Sequence, residues 1–323
     1  MVVKWRSATA GGTLAAAVTV VTWAAAFPAI RAGLTGFSPW ALGTARLLVA
    51  SVALALAAIV LRPAVPPLRL WGRVLLAGLV GQALYQGLLM TGEVRVPAGT
   101  ASILIATAPI FSVAAAGVLL KEPVRPALPG MFVALLGVCF VGVSLGVGGG
   151  AAALVVLVAA ICQGLYHVIV KPLTESLGAF AATAWSLWAG AAMCLPLLPL
   201  TATQASTAPH NALIAVVLLG VVSSAIGYVS WSFALRHADV GQTTAALYLV
   251  PVVALILSWL WLGERPQPLA IAGGALAIVG VMFVRSPGLR TKVGGLFPGR
   301  EHDAADETHA AIPNDSGTGR ASG

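Results

Sequence analysis

Long apolar stretches alternate with short polar punctuation along almost the whole chain. The stretches fall at residues 11–30, 39–61, 71–91, 98–120, 128–146, 152–171, 178–199, 211–235, 240–262 and 268–285. Each runs to roughly 20 residues, the length an α-helix needs to cross the hydrocarbon of a bilayer. Lipid offers no partner for a bare backbone group, so only helices and closed barrels span it. Barrel strands would be roughly 10-residue segments of alternating polarity, and no such alternation is present. The pattern predicts ten membrane helices. Turn residues mark their ends: Pro63, Pro66 and Pro67, then Pro123, Pro126 and Pro129, then Gly148-Gly149-Gly150, then Pro266 and Pro268.

Composition strengthens this reading. Hydrophobic residues are 59% of the chain, charged residues 9%, and the mean hydropathy is +0.96. Soluble domains carry about 25% charged residues, so most of this surface must face lipid. The net charge of +8 does not point to nucleic acid, because the cations are scattered singly through short loops. They report orientation instead. With a cytoplasmic N-terminus, only Arg31, Arg95 and Arg265 fall outside and Arg46 lies within the second run; the remaining fourteen of 18 face the cytoplasm. Both termini are then cytoplasmic, and loops 31–38, 93–97, 147–151, 200–210 and 264–267 lie outside. Lys4 and Arg6 ahead of an apolar stretch, with Ala24-Ala25-Ala26 beyond, imitate a cleavable leader. The many later runs favour an uncleaved first helix. Cys139, Cys162 and Cys194 sit singly in apolar runs, without metal or disulfide spacing. Residues 286–323 lose all periodicity and read as a disordered cytoplasmic tail; His302 and His309 within it are too sparse for a metal site.

The chain also repeats itself. Pro109 and Pro251, Glu122 and Glu264, Gly99 and Gly241, Pro126 and Pro268, and Gly78 and Gly220 are all 142 positions apart, while Arg31 falls on Lys171 at a shift of 140. The organisation is therefore a cytoplasmic N-terminus at 1–10, a first five-helix half at 11–146, a second at 152–285, and the tail. Five is odd, so the second half enters the bilayer inverted. Inverted repeats of this kind are a transporter architecture, with the cargo site near the midplane between halves.

The order and spacing of several motifs resemble EamA-type members of the drug/metabolite transporter superfamily over roughly residues 12–285. These are Trp23 before Phe27-Pro28-Ala29-Ile30-Arg31, Pro39, Ala45-Arg46-Leu47, Ala106-Thr107-Ala108-Pro109 with Lys121-Glu122, Tyr248-Leu249-Val250-Pro251, and Leu262-Gly263-Glu264-Arg265. Lys121 stands where the family usually has Gly. The resemblance implies ten helices, a central cavity, and movement of small metabolites or amino acids across the plasma membrane.

Candidate cargo ligands come from polar faces inside apolar runs. Gln82, Tyr85 and Gln86 share one face at i, i+3 and i+4. Gln163, Tyr166 and His167 repeat the spacing, as do Ser224, Gly227, Tyr228 and Trp231, and the first run adds Thr22, Trp23 and Phe27. The repeat maps Trp23 to Gln163, Phe27 to His167, Gln82 to Ser224 and Gln86 to Tyr228. The cavity wall expected from this is Trp23, Gln82, Gln86, Gln163, His167, Tyr228, Trp231 and Tyr248. The competing reading is interhelical packing through hydrogen bonds. Pro109 and Pro251 are expected mid-helix as paired hinges, and Gly130, Gly137, Gly273 and Gly280 as close-packing positions. Leu257 is expected to face lipid. Arg46 fits either a structural role or the wall of an anion path. No acid lies deep in a run, so coupling to a proton or counter-substrate stays open, with His167 the first candidate. No paired acids, activated nucleophile or metal cluster supports an enzyme, and no cofactor is implied. The function expected is export of small metabolites or amino acids by alternating access. The alternatives are a multidrug or cationic-compound exporter and, further off, a pore or lipid scramblase. The oligomeric state and the substrate are not encoded legibly.

Overall fold

The computed structural model describes residues 10–119, 128–237, 247 and 249–285. These are helical, and no strand occurs among them. The helices are α1 (Ala10–Gly33), α2 (Pro39–Leu61), α3 (Leu68–Glu93), α4 (Ala98–Ile105), α5 (Ala108–Leu119), α6 (Leu128–Ser144), α7 (Gly146–Leu177) and α8 (Ala179–Thr207). A ninth rod, α9, runs from His210–Val217 through a π segment, Leu218–Ile226, into Gly227–His237, and α10 (Leu249–Leu262) and α11 (Pro268–Arg285) follow. Six rods are long and apolar enough to cross a membrane: α1, α2, α3, α7, α8 and α9. The others are shorter apolar helices. Tyr248, Lys121, Glu122, Pro126, Gly241 and the 286–323 tail lie outside the described residues.

Three expected boundaries differ. The run 98–120 is two helices parted by a turn at Ala106 and Thr107. Pro109 has no N–H, so the Ile105 carbonyl loses its helical donor and the chain re-initiates. Pro109 is therefore the second residue of α5 rather than a mid-helix kink, a position where a missing donor costs nothing. Pro251 likewise sits in the first turn of α10. Next, Gly148-Gly149-Gly150 lie within the first turns of α7, and only Leu145 separates it from α6. Three glycines cost roughly 1 kcal/mol each in a helix, less than bare backbone groups would cost at the edge of a bilayer. Finally, α8 continues to Thr207 through a 3₁₀ turn at Leu195–Leu197, so most of the expected 200–210 loop is helix.

Packing between the halves comes in exchanged pairs. Helix α1 packs on α9 and α10, while α7, its counterpart, packs on α3 and α5. The π segment of α9 lies on α2, and an equivalent π segment in α3, Gly78–Leu84, lies on α8. The most extensive pairing joins α6 to α11. There a Cβ on Gly137 would strike the backbone of Gly273 and Ala277, and one on Gly280 the backbone of Ala134. Small residues let backbones approach closely where lipid provides no hydrophobic drive. Leu257, expected at lipid, instead packs against the buried core, whereas Leu260 is 69% exposed.

Candidate functional site: an aromatic cavity between the halves

Helices α1, α2 and α3 and the α4–α5 junction from one half meet α7, α9 and α10 from the other around a cavity of about 60 Å³. Trp23 and Phe27 reach it from α1, Arg46 from α2, Tyr85 and Leu89 from α3, and Gln163 and His167 from α7. Tyr228 of α9, Val250 of α10 and Pro109 of α5 complete the wall with Ser102, Ile105 and Leu247.

An aromatic cluster forms one side. The Trp23 ring centroid is 5.1 Å from Tyr228 and 5.5 Å from Trp231, and His167 is 5.7 Å from Trp231. All these pairs are tilted, the geometry that aligns a positive ring edge with a negative face. Gln163 Nε2 lies 3.3 Å from His167 Nε2, and Ser112 Oγ lies 3.5 Å from His167 Nδ1 while bonding the Gly164 carbonyl at 3.0 Å. The Gln163 amide oxygen and the Trp23 indole N–H are buried without a hydrogen-bond partner among the described residues. Arg46 is 3% exposed, and its Nε donates to Ser224 Oγ at 2.7 Å. Ser223 beside it donates to the Thr22 carbonyl at 2.8 Å, tying α9 to α1.

Of the eight residues expected on the wall, Trp23, Gln163, His167 and Tyr228 line the cavity. Trp231 stands behind it, packed between Trp23 and His167. Gln82 and Gln86 are fully buried but not part of the wall: Gln82 packs at Gly190 of α8, and Gln86 faces Gly43 of α2. Gln82 lies in the π segment Gly78–Leu84, while Tyr85, Gln86 and Leu89 follow it on regular helix. Of these, Tyr85 and Leu89 meet the cavity. Arg46, Tyr85 and Phe27 were the residues to add. The signal for Arg46 was its standing as the lone cation inside an apolar run.

Beyond the cavity, the same faces continue along α1 from Trp23 and Phe27 to Arg31, and along α3 from Tyr85 and Leu89 to Glu93. Arg31 forms an ion pair with Glu264 at 3.3 Å and donates to the Glu93 backbone carbonyl at 2.6 Å. The Glu264 carboxylate also accepts from the Ala98 N–H at 2.9 Å, capping α4. Glu93 is wholly buried, and neither of its carboxylate oxygens has a hydrogen-bond partner among the described residues. No group of three or more metal-ligating side chains occurs among the described residues.

Sequence comparison matches the EamA-like transporter family twice, over residues 10–143 and 150–286. The chain belongs to the EamA-like transporter family. It is a multi-pass membrane transporter. It is 47% identical over 288 residues to a protein of Streptantibioticus cattleyicolor named a probable terminal-alkyne amino-acid exporter, covering 88% of this chain and 96% of that one. It is 35% identical to the uncharacterized transporter YdfC of Bacillus subtilis, covering 81% and 86%. A solved crystal structure superposes with a TM-score of 0.59 at 19% identity, covering 87% of this chain and 98% of that one. That likeness concerns the fold alone.

Proposed function

We propose that this EamA-like protein exports small amino acids across the plasma membrane. Its two inverted halves, 11–146 and 152–285, would supply ten spans with both termini cytoplasmic, alternating access to one central site. The observation that carries this reading is the cavity: a small, largely aromatic chamber walled by both halves, with a few polar groups left unpartnered. Such a site suits a small, partly apolar metabolite. Trp23, Gln163, His167 and Tyr228 are the proposed ligands from the original set, joined by Arg46 and Tyr85. The relative named an amino-acid exporter supports the cargo class and direction. Pro109, on the cavity wall, and Pro251, next to Val250 of that wall, each lie in the first turn of a helix and are the proposed hinges.

The rival reading, export of lipophilic cations, draws on the aromatic faces, but Arg46 would repel such cargo. Counterflow in proteoliposomes separates these readings. Loaded with unlabelled norvaline or propargylglycine, vesicles should accumulate labelled norvaline transiently against its gradient. Accumulation of a lipophilic cation instead would favour the rival. Equilibration without a transient would identify a pore.

A further inference from the structure

We propose that Arg46 anchors the carboxylate of the cargo, making the cavity selective for monocarboxylate zwitterions with short apolar side chains. The inference rests on the transport reading above and names the recognition chemistry within it.

Arg46 carries a charge with no ion-pair partner among the described residues. Arg46 lies inside a membrane-spanning helix and is 3% exposed. A guanidinium cannot shed its proton in a protein. Buried membrane charges pair with an opposite charge or mark a ligand path. Among the described residues no carboxylate lies within ion-pair distance of Arg46; the ion pair present there joins Arg31 to Glu264. The hydrogen bond Arg46 makes is from Nε to a neutral hydroxyl, Ser224 Oγ. The Nε bond fixes the plane of the group, Arg46 lines the cavity, and its two terminal nitrogens remain as a fork of donors. That fork matches the two oxygens of a carboxylate.

The rest of the wall fits the other parts of an α-amino acid. Gln163 lines the cavity and its amide oxygen has no hydrogen-bond partner among the described residues, an acceptor suited to an ammonium. The aromatic rings of Trp23 and Tyr228 on the same wall suit a cation as well. Leu89 and Ile105 supply an apolar surface for the side chain. The cavity is small, about 60 Å³, which favours a short side chain over a bulky one. No second Lys or Arg among the described residues lines it, so a dicarboxylate would bring one charge too many.

The test uses the full chain in proteoliposomes, following counterflow of labelled norvaline. Competitors are unlabelled norvaline, norvalinamide, which replaces the carboxylate with an amide, and n-butylamine, which lacks it. Wild type should prefer norvaline to either analogue by about tenfold or more, the scale of a hydrogen bond to a charged group. Arg46→Gln should raise the KM for norvaline by about tenfold or more and bring the preference over norvalinamide close to one. Arg46→Lys, which keeps the charge but not the fork, should retain part of that preference. The wild-type comparison needs no variant, so a misfolded Arg46→Gln does not remove the test. Equal competition by norvalinamide in wild type overturns the anchor. So does an Arg46→Gln protein with unchanged KM and preference. In both cases norvaline transport, and the functional reading, would stand. If wild type moves no amino acid at all, the functional reading falls and the anchor with it.

Discussion

Two glutamines separate what lines the cavity from what packs behind it. Gln163 lines the cavity, so Gln163→Ala should remove a hydrogen bond to cargo. At about 0.5–1.5 kcal/mol, the KM should rise several-fold while the melting temperature in detergent holds. Gln86 is buried between α3 and α2 with neither amide atom bonded to protein. An unsatisfied buried amide costs stability, so Gln86→Met should leave KM within about twofold and preserve or raise the melting temperature. A several-fold loss of affinity in Gln86→Met would put that residue on the cargo path after all. Leu260→Ala, at the exposed surface of α10, is the appropriate lipid-facing control.

Glu93 raises the same question with a charge. Its carboxylate is buried beside Arg31 yet hydrogen-bonded to no described residue. Exchanging an ill-solvated buried charge for a neutral isostere is often neutral or stabilising. Glu93→Gln should therefore keep or raise the melting temperature. A fall of many degrees would mean that the carboxylate holds a partner essential to the fold.

At the scale of elements, the helices are shaped by their interruptions. The turn at Ala106 and Thr107 places Pro109 on the cavity wall, and Pro251 follows Val250 of that wall in the first turn of α10. Replacing Pro109 and Pro251 together with Ala restores two backbone donors and extends α5 and α10 backward. The double variant should transport more slowly with KM changed less than kcat, because the balance between open states shifts more than the site. Unchanged kcat would reduce the prolines to boundary markers. Glu264 joins three elements by pairing with Arg31 of α1 and capping α4 at Ala98. Charge at a helix N-terminus with a direct N–H bond is worth about 0.5–2 kcal/mol. Glu264→Gln should accordingly lower the melting temperature modestly.

The repeat is the property of the whole molecule that organises the rest. Packing pairs recur with the halves exchanged, and the two π segments occupy equivalent places in α3 and α9. Cysteine labelling in intact cells tests the inverted arrangement. Probes at Thr35, Arg95 and Gln267 should react from outside, and those at Pro66 and in the tail only after permeabilisation. An externally labelled tail would refute the even helix number and the inversion together.

The amino-acid sequence by itself determined the solvent, the all-helical class and the family. Apolar run length, sparse charge and the 142-residue repeat are properties of composition and spacing, and lipid leaves helices as the available way to satisfy the backbone. It also brought Trp23, Gln163, His167 and Tyr228 forward as candidates, and all four line the cavity. Tertiary structure alone decided which face of α3 meets the cavity. Gln82, Tyr85, Gln86 and Leu89 fall close together on a helical wheel, and the spacing could not say that Tyr85 and Leu89 meet the cavity while Gln82 and Gln86 pack against α8 and α2. Tertiary structure also decided the surroundings of Arg46. A lone cation in an apolar run was visible from the start, but its exposure to the cavity, its bond to Ser224 and the distance to any carboxylate depend on contacts 178 residues apart in the chain.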